Sequence, residues 1–196
     1  MKKSIEPRAF VLPTPVWVVG TYDKEGKPNV MTAAWGGVCC SKPPCVGIAV
    51  QKVRHTYQGI MERKAFTVNV PSETHAQETD YFGMASGKSA DKFAATGLTA
   101  VRSNVVDAPY VKEFPLVLEC KIHHVVEIGT HTHIVGEIVG IKADEAVLGD
   151  KGLPDMHKVR PLVYAPEVRA YYGIGDFVGR GYTIGKKFGG STKAAG

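Results

Sequence analysis

Cationic and hydroxyl side chains crowd one short stretch of this chain: Lys52, Arg54, His55 and Thr56 follow an apolar run, CVGIAV, and open a helical pattern. Amide N–H groups at a helix start lack intrahelical partners, so with a lysine and an arginine beside them they can hold a phosphate. Upstream, Asn29 to Pro44 reads NVMTAAWGGVCCSKPP and sets Ala33, Ala34, Gly36 and Gly37 around one indole, Trp35. Small residues let a flat ligand approach the backbone closely. A planar slot and an anion site, one strand apart, suggest a flat ring carrying a phosphate, as in flavin mononucleotide (FMN). The same residues also have plain structural readings, as packing accommodations at a strand end and as a solvated basic turn.

Other chemistry is less well supplied. His123, His124, His131 and His133 form the densest group of titratable side chains, and on a strand His131 and His133 would share a face, an allowed arrangement for metal ligands. Only Glu127 and Cys120 stand near them at ligand spacing, so zinc or iron is not expected. There is no G-x-S-x-G elbow, and Cys40 with His131 is a nucleophile and base only if the fold joins them. GIGDFVGRG near the C-terminus has glycines but follows no strand-to-helix passage, which argues against a dinucleotide fold.

The elements that must position these residues can be read from periodicity. Pro15 to Tyr22 is a strand with Trp17 in the core, and Asp23-Lys-Glu-Gly26 turns it into a partner strand from Asn29 to Ala34. Trp35, where that strand meets glycines, walls the slot or meets another subunit. Cys45 to Val50 is a strand buried on both faces, His55 to Arg63 a short helix, and Ala65 to Val70 a strand ended by Pro71. Ser72 and Ser89 can cap helical segments that run to Gly97, which would turn Phe93 inward with Lys92 beside it. A long strand from Pro115, its alternation broken near His123 and His124, returns through His131 to Ile141, and Arg160 to Tyr164 supplies a last strand. Six or seven strands with a helical insertion and no βαβ rhythm predict a mainly β protein, a closed antiparallel barrel rather than a doubly wound sheet.

Composition bounds the function. A chain of 196 residues, 44% hydrophobic, can bury one substantial core. Residues 1–178 are read as one domain and 179–196 as a basic, Gly-rich tail. From Val178 on, Arg180, Lys186, Lys187 and Lys193 supply four of the net +5 charge, leaving the body nearly neutral, so no nucleic-acid partner is expected. The apolar runs are far shorter than the roughly 20 residues of a membrane helix, and MKKSIEPRAF has no apolar region behind its basic residues. Cys39, Cys40, Cys45 and Cys120 make no C-x-x-C pair. Cys39 and Cys40 would point to opposite faces of a strand, which argues against a bond between them. Free thiols fit a reducing compartment, so the cytoplasm is expected.

The order of six segments, GTYDKEGKPNVMTAAW, CCSKPPCVGIAV, RHTYQGI, AFTVNVP, HTHIVGEIV and RPLVYAPEVRAYYGIG, resembles the flavin reductase-like, FMN-binding split-barrel family, and most closely its flavoredoxin branch. The resemblance runs from about Val11 to Gly175 and implies a Greek-key split β-barrel, a homodimer, and FMN held non-covalently. It implies that Thr32 and neighbouring amides bond the polar edge of the ring, that Ala33, Trp35 and Cys40 line it, and that Lys52, Arg54, His55 and Thr56 hold the phosphate with Asn29 close by. Lys92, reaching the isoalloxazine edge, His131, approaching the flavin or a nicotinamide stacked on it, and Tyr164 would complete the pocket. It implies electron transfer with a redox protein partner, or reduction of flavin by NAD(P)H; a split barrel without redox activity is the third reading. Cys39 and Cys40, where hydroxyl residues are common in the reductase branch, favour the carrier.

Overall fold

The computed structural model describes residues 1–188. In chain order its elements are β1 (Thr14–Pro15), β2 (Trp17–Tyr22), β3 (Pro28–Ala33), β4 (Gly36–Ser41), β5 (Pro44–Gln51), α1 (His55–Arg63), β6 (Ala65–Val70), α2 (Ala76–Met84), α3 (Lys92–Thr96), β7 (Ala100–Arg102), β8 (Pro109–Val111), β9 (Leu116–Ile128), β10 (His131–Ala143), α4 (Met156–Val159), β11 (Val163–Ala165) and β12 (Ala170–Tyr172). Seven strands form one sheet in the order β3-β2-β6-β9-β10-β5-β4, every neighbouring pair antiparallel. The edges β3 and β4 share no ladder, so the barrel is split, as the family resemblance implies, and not closed as strand periodicity alone suggests. A small sheet, β1-β11-β12, stands apart.

The curl of the sheet follows from which side chains meet. Val19 of β2 and Met31 and Ala33 of β3 pack with Val46, Ile48 and Val50 of β5, together with Ile60, Phe66, Val68, Cys120 and Ile134. Strands near opposite ends of the sheet thus share one core, with Trp17 packed against it. The alternate residues Val18 and Val30 face the other way, onto Phe82, Phe93, Val111 and Phe114. β2 is therefore covered on both faces, by the barrel interior and by the helical insertion. Burying a Phe or Val side chain contributes about 1.5–3 kcal/mol, and this second layer fixes α2 and α3 over β3.

Several boundaries differ from those expected. Gly36 and Gly37 continue into strand β4 instead of ending one, because Gly36 lies against the Trp17 ring, where an added Cβ would sit 2.5 Å from Cζ3. Asp91, not Ser89, caps α3, its carboxylate accepting from the Ala94 N–H at 3.1 Å; Ser89 donates to the Ser86 carbonyl instead. Gly97 ends that helix in the left-handed region, φ 71°. Arg160 is the left-handed cap of α4 (φ 49°), so the strand expected over Arg160 to Tyr164 starts at Val163 as β11 and pairs with β1 and β12, outside the main sheet. The break at His123 is a bulge: Val135 faces His124 and Gly136 faces Ile122, which leaves His123 unpaired in the ladder. Of the tail, residues 189–196 lie outside the described residues.

Candidate cofactor-binding site

The anion end forms where β5 runs into α1. Arg54 occupies the N-cap position with extended backbone, and no side chain caps the helix. The Tyr57 N–H is taken by the Arg54 carbonyl at 3.0 Å, but the amides of His55 and Thr56 point outward with the positive end of the helix. Beside them the buried Asn29 amide donates to Thr56 Oγ1 at 2.8 Å. His55 Nε2 stands 3.7 Å from an Asp23 carboxylate oxygen. The segment after α2 closes over this pair at Gly87, where any side chain would collide with the Asn29 amide and the His55 ring.

Lys92, expected at the edge of the ring, lies at this end instead, beside Arg54, His55 and Thr56 and not among the residues of the cleft with Trp35 and Tyr164. Its side chain is buried, and its ammonium donates to the carbonyls of Val30 at 2.7 Å and Phe82 at 2.8 Å. An ammonium has three donors, so one N–H is left without a protein acceptor among the described residues. Burial, and then the neighbouring Arg54 charge, pull its pKa down to about 8. Arg54 itself reaches the Gly83 carbonyl at 3.4 Å. A recess of about 230 Å³ is bounded by Arg54, His55, Thr56, Ser86, Gly87 and Lys92.

That recess adjoins a larger cleft of about 550 Å³, and Met31, Gln51, Arg54 and Met84 line both. Val16, Thr32, Ala33, Ala34 and Trp35 form one wall; Asp80, Gly83 and Met84 of α2, His131 of β10, and Tyr164, Arg169 and Tyr171 of the small sheet form the rest. Thr32 donates its hydroxyl proton to the Thr79 carbonyl of α2, leaving the hydroxyl oxygen able to accept. The Tyr164 and Tyr171 rings lie 5.1 Å apart, and the Tyr171 hydroxyl donates to Asp80 Oδ1 at 3.0 Å. Burial, followed by the Asp80 carboxylate, raises the Tyr171 pKa above the ordinary phenol range. His131 Nδ1 is 3.0 Å from Thr130 Oγ1.

The groove thus gathers Thr32, Ala33, Trp35, Arg54, His55, Thr56, Lys92, His131 and Tyr164, with Asn29 directly behind Thr56. Two expected residues stand outside it. Lys52 follows Gln51 in sequence and takes the opposite side, where its ammonium meets Glu127 at 2.6 Å. Cys40 lies exposed on β4, at the far edge of the sheet, with Sγ 3.4 Å from the Lys42 carbonyl oxygen. Gln51, Asp80, Met84, Arg169 and Tyr171 were not expected. Arg169 and Tyr171 lie inside the sequence run RPLVYAPEVRAYYGIG, yet a short strand and turn gave no pattern to show which of its side chains face inward. Among the described residues no three His, Cys, Asp or Glu side chains come together as metal ligands, and no helix is long and apolar enough to cross a membrane.

Residues 9–174 match the flavin reductase like domain family. The structure is similar to that of a flavoredoxin of Desulfovibrio vulgaris (Miyazaki F), 47% identical, with a TM-score of 0.91 over 94% of this chain and 100% of that one. A flavoredoxin from Methanosarcina acetivorans is 32% identical, with a TM-score of 0.89 over 96% of this chain and 99% of the other. Nitrilotriacetate monooxygenase component B from Bacillus cereus, 19% identical at a TM-score of 0.81 over 92% and 99% of the two chains, shares the fold. With a split barrel of the expected strand count and a family match across most of its length, the chain belongs to the flavin reductase-like, split-barrel family.

Proposed function

We propose that this protein is an electron carrier of the flavoredoxin type that holds FMN non-covalently. The observation that carries this reading is the adjacency of two cavities: a cationic recess at an uncapped helix start and a cleft with a small-residue wall share four lining residues. The residues fit the ligand at both ends. The unshared N–H of Lys92, the Arg54 guanidinium and the first amides of α1 suit a phosphate. Ala33 and Ala34 admit a ring edge-on to the backbone, and His131, Tyr164 and Trp35 border it.

When bound, FMN supplies the redox chemistry; the protein binds it, orients it and sets its access. Lys92 and Arg54 fix the phosphate, and Thr32 offers an acceptor oxygen to a ring N–H. Tyr171, held by Asp80, keeps the small sheet against α2 and so bounds the cleft on its solvent side. Trp35 at 41% exposure leaves one edge open to a redox protein partner. The exposed Phe177, Val178 and Tyr182 support a homodimer in which a second copy covers them, and the four free thiols support a cytoplasmic setting.

A second reading, an NAD(P)H-dependent flavin reductase, is favoured by one feature. Arg169 makes no ion pair among the described residues and, with Arg54, sets positive charge at the mouth of the cleft, where a nicotinamide nucleotide could dock. Anaerobic mixing of the FMN-loaded protein with NADH or NADPH decides between them. The carrier reading expects the oxidised flavin bands to persist; prompt bleaching establishes the reductase. A colourless preparation that takes up no added FMN overturns both in favour of a split barrel without redox activity.

A further inference from the structure

Three of the four cysteines lie in a single hairpin, and the flavin groove uses none of them. β4 and β5 turn tightly at Lys42-Pro43, with Ser41 opposite Pro44 and Cys40 opposite Cys45. Directly opposed residues of an antiparallel pair have Cα atoms about 4.5 or 5.5 Å apart and side chains on the same face. Both spacings lie within the roughly 4.4–6.8 Å that a disulfide spans. Cys39 is the extra residue of a bulge between Val38 and Cys40 and has no opposite partner. We propose that Cys40 and Cys45 are a reversible dithiol–disulfide couple, with exposed Cys40 as the attacking thiol and buried Cys45 as the resolving thiol, exchanging with small-molecule disulfides.

The asymmetry of the pair sets the order of events. Cys40 is exposed, whereas Cys45 is 2% exposed, so a disulfide from solution meets Cys40 first. Burial, and then the neighbouring Cys40, Cys39 and Glu137, raise the Cys45 pKa, which keeps that thiol protonated and unreactive until a mixed disulfide sits opposite it. Cys120, fully buried with its thiol pushed up to about 12, stays out of the exchange. In the first step the Cys40 thiolate attacks one sulfur of oxidised glutathione; a protein–glutathione disulfide forms, and the displaced glutathione thiolate takes up the proton that Cys40 lost. In the second, Cys45 attacks the Cys40 sulfur and expels the second glutathione thiolate, which takes the Cys45 proton. One disulfide is reduced to two thiols as two protein thiols become one disulfide. The ring so closed spans only the hairpin turn, so the cross-link removes little chain entropy and stabilises the fold weakly, which suits a bond that opens again.

The test is to incubate the FMN-loaded protein with oxidised glutathione, then count free thiols and map the cross-link by mass spectrometry after proteolysis. The expected result is loss of two thiols, a peptide joining Cys40 to Cys45, and full reversal by reduced glutathione. Cys39→Ser should behave as wild type. Cys45→Ser and Cys45→Ala should stop at a mixed disulfide on Cys40, and Cys40→Ser should leave Cys45 reduced, with circular dichroism showing each variant folded. Retention of all four thiols, a link between Cys39 and Cys40, or an unresolved glutathione adduct on the wild-type protein would each overturn the proposal, whatever the flavin spectrum shows.

Discussion

At the anion end of the groove the side chains that face inward are held by other protein groups: Asn29 on Thr56, His55 near Asp23, and Lys92 on two carbonyls of β3 and α2. At the ring end the walls come from the β3 exit, α2, β10 and the small sheet, and Trp35 and Arg169 are open to solvent. Preorganised donors bind with little ordering loss, whereas a wall gathered from the ends of several separate elements leaves an edge that a partner can reach. On the proposed reading, the first region supplies affinity and the second electron access. Substitutions at the anion end should therefore discriminate FMN from riboflavin, and those at the ring end should not.

The largest effect is expected at Lys92. Lys92→Met removes the only buried cation among the described residues and its unshared donor, and a charge-assisted hydrogen bond contributes about 1.5–3 kcal/mol, so FMN should bind roughly 100-fold more weakly while riboflavin is little changed. Fluorescence titration with both ligands measures this, and equal losses would move Lys92 off the phosphate. Arg54→Ala should weaken FMN about tenfold by the same comparison, because the guanidinium is exposed and screened.

The lowered Lys92 pKa gives a pH signature of the same end. Below about 8 Lys92 is charged in the folded protein and attracts the phosphate. As pH rises through that value the free protein loses the proton, and FMN affinity should fall by up to about tenfold per pH unit. The stability of the ligand-free protein runs the other way. Between about 8 and the ordinary lysine value of 10.5 the unfolded chain binds more protons at this site than the folded one, so stability relative to Lys92→Met should rise across that window. Chemical denaturation at a series of pH values, with and without FMN, measures both slopes; parallel slopes would contradict the placement of Lys92.

At the ring end, Tyr171→Phe removes the hydroxyl that joins the small sheet to Asp80 of α2. FMN and riboflavin should weaken equally and only a few-fold, about one hydrogen bond's worth, with faster quenching of bound flavin by iodide as the cleft opens. Selective loss of FMN would instead extend the anion end across the groove.

How much of this was legible in the sequence follows the regularity of the elements. His55 to Arg63 and Ala65 to Val70 coincide with α1 and β6, because each has a complete period and a clear terminator, and the candidate anion residues Arg54, His55 and Thr56 at the start of α1 came with them. Lys92 was placed beside Phe93 by the same helical reading. Its burial was not foreseeable, since it depends on β3 and α2 arriving together. Trp35 and Gly36 show the opposite case: small residues after a strand look like a loop, and only the Trp17 ring lying against Gly36 explains why the strand resumes. The small sheet was hidden because its strands, of two or three residues, are too short for an alternation to register.

The smallest expected effect separates sequence adjacency from position in the groove. Lys52 lies two residues from Arg54 and shares its charge, so by composition both belong to the anion site. In the fold, Lys52 sits in the turn just past β5 and meets Glu127 at 2.6 Å, and the hydrogen bond it donates to that carboxylate raises the lysine pKa. Its charge is already countered and its side chain is solvated, so it contributes to the phosphate only through a screened, long-range field. Lys52→Ala should change the dissociation constant for FMN by less than about twofold at physiological ionic strength, where the Debye length is about 8 Å. A loss comparable to that of Arg54→Ala would mean that the lysine leaves Glu127 when the phosphate arrives, and that the anion end is less preorganised than the cleft beside it.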